Sequence, residues 1–510
     1  MNQDTALASS FGDLRKKSRR GPCLVILIFW ALLYLPHLRT SPSWYGDETL
    51  AVEIAKNLLQ GQFATGAQWN TFFTIVYQPV YEWLLAAGMF CFGGDILGAR
   101  LVNALLALVS GLALFLLGRR LMGQRTAFAA SLIFLGAYQN VIHFRAAYAH
   151  NGVAAGLAIG LLAACCHPTL RNNCLTGLGN LLAVGAHPLG IFTAISSALP
   201  RWNRPRSWLL IAFIPAILFL LLYVPVYLRF GAWMTEDMLT IFRSYGSYSD
   251  EHSGNLILNF SRFYTQDSYH LLGVVGLLLV LLPKWRAKLW PLLTAFIILS
   301  YFLFSNRSNL TVFYYQAIVV APLLALGVAI LLGVGSDWMA RRFQRKVLRG
   351  LPVAAAVLLA MPALISVIRG QLLTRHHYWV TQSITDYESA ARWLNAHTGP
   401  EDIVITNSSL GWLLDAPTGS LLQLTAYAGH KTFMHEYGTP QERFRFPLTK
   451  ERVRFIAIGD IDQRWGLAQP HVEETLTSFG VDKWPVVWTS ENCLILENPD
   501  FQSAPANSTP

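Results

Sequence analysis

The stretch Trp44-Tyr45-Gly46-Asp47-Glu48-Thr49 follows a basic cluster, Leu14-Arg15-Lys16-Lys17-Ser18-Arg19-Arg20, and an apolar run over 23–38. Two adjacent carboxylates therefore stand where a hydrophobic segment ends. A helix-like run from Leu50 to Gln60 comes next, and Gly61 ends it. A lipid-facing span has no packing use for an acidic pair at its exit, so the pair is either a solvated loop face or chemistry at the membrane surface. Successive helical residues point about 100° apart, so the two carboxylates cannot face one reacting atom in the same way. One can act as a base while the other caps the helix or pairs with a cation. Asp at a helix N-terminus satisfies free amide groups, which makes Asp47 the natural cap in the plain structural reading. A carboxylate partly withdrawn from water is also a better proton acceptor, which is the chemical reading. At this point both stand.

Composition sets the surroundings. Only 13% of the 510 residues are charged and 53% are hydrophobic, whereas soluble domains carry about 25% charged residues. Mean hydropathy is +0.38, so most of the chain belongs in lipid. The net charge of +10 comes from short basic loops; it reads as membrane topology and not as a nucleic-acid face. Of the six cysteines only Cys493 lies in the polar tail, so no disulfide framework is implied.

Apolar segments at 22–38, 79–93, 98–118, 126–144, 152–167, 175–199, 207–230, 271–283, 289–305, 312–335 and 351–368 predict a polytopic α-helical membrane protein of about eleven spans. The basic N-terminus (1–21) is then cytoplasmic and the module 22–368 transmembrane, with long outer loops at 39–78 and 231–270. Basic clusters at 201–206, 284–288 and 341–349 fall at inner turns, as the positive-inside rule requires. Arg119-Arg120, Arg125 and Arg145 run against it, and a re-entrant 79–93 with one further failed crossing reduces the total to about nine. His187-Pro188 predicts a kink within 175–199. Beyond the last span, 369–510 predicts a soluble extracytoplasmic α/β domain, with helices near 386–397 and 472–479 and short strands near 402–406, 453–458, 485–488 and 493–496.

Gly46-Asp47-Glu48-Thr49, Val52-Glu53-Ile54-Ala55, Leu58-Leu59 and Gly61 resemble the first outer loop of the GT-C membrane glycosyltransferases. The nearest likeness is to the lipid A aminoarabinose transferases and the protein O-mannosyltransferases of the glycosyltransferase family 39 type. The series continues through Tyr77-Gln78-Pro79-Val80-Tyr81-Glu82-Trp83-Leu84, Phe92-Gly93, Ala99-Arg100, Gly118-Arg119-Arg120-Leu121-Met122-Gly123 and Gly185-Ala186-His187-Pro188-Leu189-Gly190. The resemblance implies a GT-C fold and transfer of a sugar from a polyprenyl-phosphate donor, with inversion, to a lipid, glycan or protein acceptor on the outer face of a bacterial inner membrane. It assigns the base role to Asp47, with Glu48 beside it.

The phosphate needs cations, and Arg243, Arg262 and Arg307 are the candidates, with Tyr314 and Tyr315 close to the last. Two departures from the family pattern matter. Gln78 stands where several relatives have a lysine before the proline. The stretch Arg145-Ala146-Ala147-Tyr148-Ala149-His150-Asn151 lacks the second acid of relatives, so Arg145, His150 and Asn151 join the candidates for substrate binding. A divalent metal is compatible with this chemistry and is not required by the sequence. Two other readings compete: a transporter or flippase for a lipid-linked sugar, and a catalytically weakened relative that acts as a binding partner.

Overall fold

The computed structural model describes residues 20–44, 46–62, 79–247, 267–304, 314–372, 384–432 and 440–501. The membrane part is built from α1 (Arg20–Tyr34), α2 (Gly46–Leu59), α3 (Pro79–Phe92), α4 (Ile96–Leu121), α5 (Gln124–Gly136), α6 (Tyr138–Phe144), α7 (Ala149–Ala164), α8 (Leu170–Ala186), α9 (Gly190–Ala198), α10 (Ile214–Ser247), α11 (Leu271–Leu278), α12 (Pro283–Phe304), α13 (Ala321–Arg342) and α14 (Leu351–Ile368). Among the described residues four helical stretches are long and apolar enough to cross a membrane: Ile96–Leu121, Pro205–Val224, Ala321–Arg342 and Lys346–Ile368. The bent pair α5 and α6 makes a fifth when counted as one span. The outward faces are apolar: Leu24, Val25 and Ile28 on α1, Ile217, Leu220 and Leu221 on α10, and Leu358 and Ile365 on α14 are all exposed. Such a surface is stable against hydrocarbon and not against water.

Three expected spans differ in form. The segment 126–144 bends by 60° between α5 and α6. The buried backbone amides of Tyr138 and Gln139, freed by the bend, donate to the carboxylate of Asp267 at 3.0 and 2.8 Å. The segment 175–199 breaks at His187-Pro188, with α8 ending at Ala186 and α9 starting at Gly190. Proline removes an amide donor there, and the Nδ1 of His187 accepts from the Leu189 amide at 3.2 Å. Finally, α10 runs on to Ser247 through a kink at Phe230, so the first part of the expected outer loop 231–270 is helical.

Glycine brings α3 and α4 together. Gly93 and Gly94 turn the chain with φ of +100° and +75°, which favours residues without a Cβ. Gly88 and Gly98 then meet backbone to backbone, with no room for a side chain on either. This close hairpin sets Glu82 and Arg100 on neighbouring helices.

The C-terminal part holds one five-stranded sheet of order β2-β1-β3-β5-β4. Its strands are β1 (Ile403–Ile405), β2 (Thr418–Gly419), β3 (Val453–Gly459), β4 (Val486–Thr489) and β5 (Cys493–Glu497). β1 lies parallel to β2 and β3, while β5 is antiparallel to β3 and β4. Helices α15 (Thr385–His397), α16 (Leu421–Tyr427) and α17 (Val472–Phe479) accompany it. β1 is buried throughout, as a central parallel strand must be. One continuous apolar core joins the sheet to the helices, from Trp44 and Ile54 to Trp412 and Leu414.

Candidate active site

The site begins with the loop between α1 and α2, which is wrapped around two buried guanidinium groups. Arg100 of α4 grips Glu48: its Nε donates to Oε1 at 2.7 Å and its Nη2 to Oε2 at 2.6 Å. The remaining Arg100 protons go to the carbonyls of Leu38, Arg39, Pro42 and Ser43 at 2.8–3.2 Å. Arg145 does the same for the start of the loop, donating to the carbonyls of Leu33, Pro36 and Ser41 at 2.6–3.0 Å. Both arginines and Glu48 are fully buried. Burying charge is costly unless it is paired and hydrogen-bonded; Arg100 and Glu48 meet both conditions, and Arg145 is compensated by carbonyl acceptors. The Oε1 of Glu48 also accepts the Ala147 amide at 2.9 Å, which ties the 145–151 turn to the start of α2.

Asp47 is the second residue of α2 and lies inside the first helical turn, two positions past the N-cap place that the plain structural reading gives it. It is half-buried, whereas Glu48 is fully buried. The angular step between them thus separates one carboxylate consumed by the core from one left near the surface of the helix end.

Behind the pair lies a buried polar cluster. Tyr81 donates to the Oδ1 of Asn103 at 2.9 Å, and Asn151 donates to the same oxygen at 2.8 Å and to the carbonyls of His143 and Ala146 at 3.0 Å. His150 and His187 face each other with ring centroids 4.3 Å apart. Glu82, in the first turn of α3, is fully buried, and neither of its oxygens has a hydrogen-bond partner among the described residues. Tyr223 of α10 lies within electrostatic reach of it.

The candidates from the sequence therefore divide. Glu48 and Arg145 both hold the structure around the loop before α2, with the guanidinium of Arg145 committed to backbone carbonyls, while Asn151 joins the cluster of Tyr81 and Asn103 and His150 faces His187. Tyr314 and Tyr315 open a short 3₁₀ helix, Tyr314–Val319, packed on α7, and Arg243 sits in the last part of α10. Gln78, Arg262 and Arg307 lie outside the described residues. Tyr81, Glu82 and Arg100 enter the sequence reading only as parts of matching strings, and Asn103 does not enter it. The signal that singles them out is physical: ionisable or amide side chains within apolar segments have to find partners or functions. Around Asp47 the donor set does not fit a two-carboxylate cation site, because both oxygens of Glu48 are taken up by Arg100 and Ala147.

The sheet covers this region. The hydroxyl of Thr49 is 3.1 Å from that of Ser408, the Nζ of Lys56 donates to the carbonyls of Trp412 and Leu414 at 3.2 and 3.4 Å, and Trp44 meets Trp412 edge-on at 5.0 Å. Further out, Arg39 bridges Asp95 and Glu388 at 2.7 and 2.6 Å, and Arg443 binds Glu236 and Asp237 of α10.

This architecture is the GT-C membrane fold. The structure superposes on ArnT from Cupriavidus metallidurans bound to undecaprenyl phosphate with a TM-score of 0.65, covering 94% of this chain and 98% of that one at 14% identity. It also resembles the archaeal oligosaccharyltransferase AglB from Archaeoglobus fulgidus, with a TM-score of 0.51, 14% identity, and 86% and 70% of the two chains covered. In sequence, residues 77–223 match the model of the dolichyl-phosphate-mannose-protein mannosyltransferase family. An undecaprenyl phosphate-alpha-4-amino-4-deoxy-L-arabinose arabinosyl transferase of Pseudomonas aeruginosa is 32% identical over 123 residues, which is 23% of this chain and 22% of that protein. Its counterpart 1 in Pseudomonas fluorescens is 33% identical over 138 residues, 26% of this chain and 24% of that protein. The sequence match thus spans about a quarter of those curated relatives, while the fold is shared with ArnT along nearly the whole chain.

Proposed function

We propose that the chain is an inverting glycosyltransferase that moves a sugar from a polyprenyl-phosphate carrier to a hydroxyl of a lipid, glycan or protein acceptor at the outer face of the bacterial inner membrane. The observation that carries this reading is the half-buried Asp47 beside the clamped Glu48. Asp47 takes the proton of the acceptor hydroxyl, and the freed oxygen bonds to the anomeric carbon. The bond from that carbon to the phosphate oxygen breaks, and polyprenyl phosphate leaves with the electron pair. Phosphate is a stable anion, so no strong general acid is required. Cations hold its charge during departure, and Arg243, Arg262 and Arg307 are the candidates for that task. Glu48 acts as a positioning residue that fixes the direction of Asp47.

The chain is read as crossing the membrane about eleven times, with its N-terminus inside and residues 369–510 as an outer α/β domain. The contacts of Ser408 and Trp412 with the Asp47 helix support placing that domain at the acceptor side.

The test is full-length protein in liposomes that carry labelled sugar on polyprenyl phosphate, offered as a panel of sugars and acceptors. Loss of a general base lowers rates by about 10²–10⁴. Asp47→Asn is therefore expected to lose transfer by that factor while its thermal midpoint stays unchanged. Transfer at the wild-type rate in this variant sinks the base assignment. Movement of uncleaved donor across the bilayer points to a transporter.

A further inference from the structure

In the C-terminal part, two histidines and a glutamate from two helix ends converge. His430 follows α16, and His471 and Glu474 stand at the start of α17. The rings of His430 and His471 stack at 5.0 Å with only 11° between their planes. The Nδ1 of His471 is 3.0 Å from a carboxylate oxygen of Glu474. One ligand-type atom from each residue lies within 4.8 Å of the other two.

We propose that His430, His471 and Glu474 form a site for a divalent first-row cation of the zinc type, with three protein ligands and a position open to solvent. Two imidazoles and one carboxylate are a donor set that zinc takes, and three protein ligands leave a fourth position for water. Tetrahedral zinc at about 2.0–2.1 Å from each ligand needs ligand atoms about 3.4 Å apart, so closing the site requires the stacked imidazoles to rotate until their in-plane lone pairs converge.

The backbone is built to hold the ligands still. Gly429 turns out of α16 with φ +89°, and the His430 amide donates to the Thr425 carbonyl at 3.2 Å. His471 is held at φ +63°, a left-handed conformation that residues with a Cβ adopt only at a cost. Its carbonyl accepts both the amide and the hydroxyl of the buried Thr475, at 3.0 and 2.7 Å. Glu474 supplies the carboxylate of the set, with one oxygen 3.0 Å from the Nδ1 of His471. His430 is half-buried while His471 and Glu474 are exposed, so a hydrated ion has access. A bound ion would clip the end of α16 to the start of α17.

The test uses untagged full-length protein stripped with a chelator, titrated with Zn²⁺ against a chromophoric competitor. The expectation is one high-affinity equivalent in the wild type. His430→Ala and His471→Asn are each expected to weaken it by at least about tenfold, given that even residues supporting a metal ligand change affinity by about 10–100-fold. Asn tolerates the left-handed conformation, so His471→Asn keeps the turn while removing the imidazole, and an unchanged metal-free thermal midpoint verifies this. Zinc bound equally well by both variants, or no zinc bound by the wild type, overturns the proposal. Neither outcome depends on sugar transfer.

Discussion

Glu48 and Arg100 meet through two parallel hydrogen bonds of 2.7 and 2.6 Å, and neither side chain is exposed. The same guanidinium holds four carbonyls of the loop that leads into the Asp47 helix. The pair thus joins α4 to the loop before α2 by charge and by backbone at once.

Removing one member of a buried pair costs about 3–5 kcal/mol, because the other charge stays behind unpaired. Arg100→Ala is expected to destabilise the protein by that order, read as thermal unfolding of the full chain in detergent. Arg100→Lys recovers only part of this, since an ammonium cannot reproduce the planar fork. A lysine variant as stable as the wild type would show that the loop carbonyls find other donors.

Glu82 makes the opposite prediction. It is fully buried without a hydrogen-bond partner among the described residues, so its presence weakens the fold. A buried polar group left without a hydrogen bond costs about 1–3 kcal/mol, which an apolar side chain does not incur. Glu82→Leu is expected to raise the thermal midpoint and to lower sugar transfer, the pattern of a residue kept for activity. A variant that is stabilised and fully active would remove Glu82 from the site.

Arg443 docks the sheet on the membrane helices. It contacts Asp237 at 2.7 Å and Glu236 at 3.0 Å, and lies over the Trp233 ring at 5.4 Å. Arg443 and Asp237 have no exposed side-chain surface. Arg443→Ala is expected to cost about 3–5 kcal/mol and to speed proteolysis of the 384–501 region. Adding Asp237→Asn should return about 0.5–3 kcal/mol of the loss. Strict additivity of the two substitutions would show that the contact is not an energetic couple.

Hydropathy predicts where apolar helices lie because lipid demands a long apolar run, and Ile96–Leu121 and Leu351–Ile368 follow their expected segments closely. The break at His187-Pro188 is equally local, since proline carries its consequence in its own ring. The bend at Ala137 has no such sign. It depends on Asp267, a residue 128 positions from Gln139 that supplies an acceptor for the amides the bend frees. The site divides in the same way. Asp47 and Glu48 stand out as adjacent acids, and helical geometry predicts that they differ. That Glu48 belongs to Arg100, and that Arg145 is spent on the loop carbonyls, depends on partners brought close only by the α3–α4 hairpin and the 145–151 turn.

The sheet carries a pH dependence of its own through Asp462. This side chain accepts from the Asn407 amide group at 2.6 Å and the Gly459 backbone at 3.0 Å. Burial outweighs both bonds and pushes its carboxyl from 3.8 up to about 6. The folded state therefore holds the proton more tightly than the unfolded chain. Stability from this group is complete below the ordinary carboxylate range, falls as pH rises from about 4 to about 6, and is level above. The shift corresponds to roughly 3 kcal/mol across that window. Asp462→Asn cannot ionise and keeps an oxygen to accept either bond, so the unfolding free energy of the variant is expected to lack this decline. Other groups titrate over the same range in both proteins, which makes the difference between the two curves the quantity to measure. Parallel curves from pH 4 to 6 would mean that Asp462 is ionised in the folded sheet as readily as in the unfolded chain, and that water or a nearby cation reaches it.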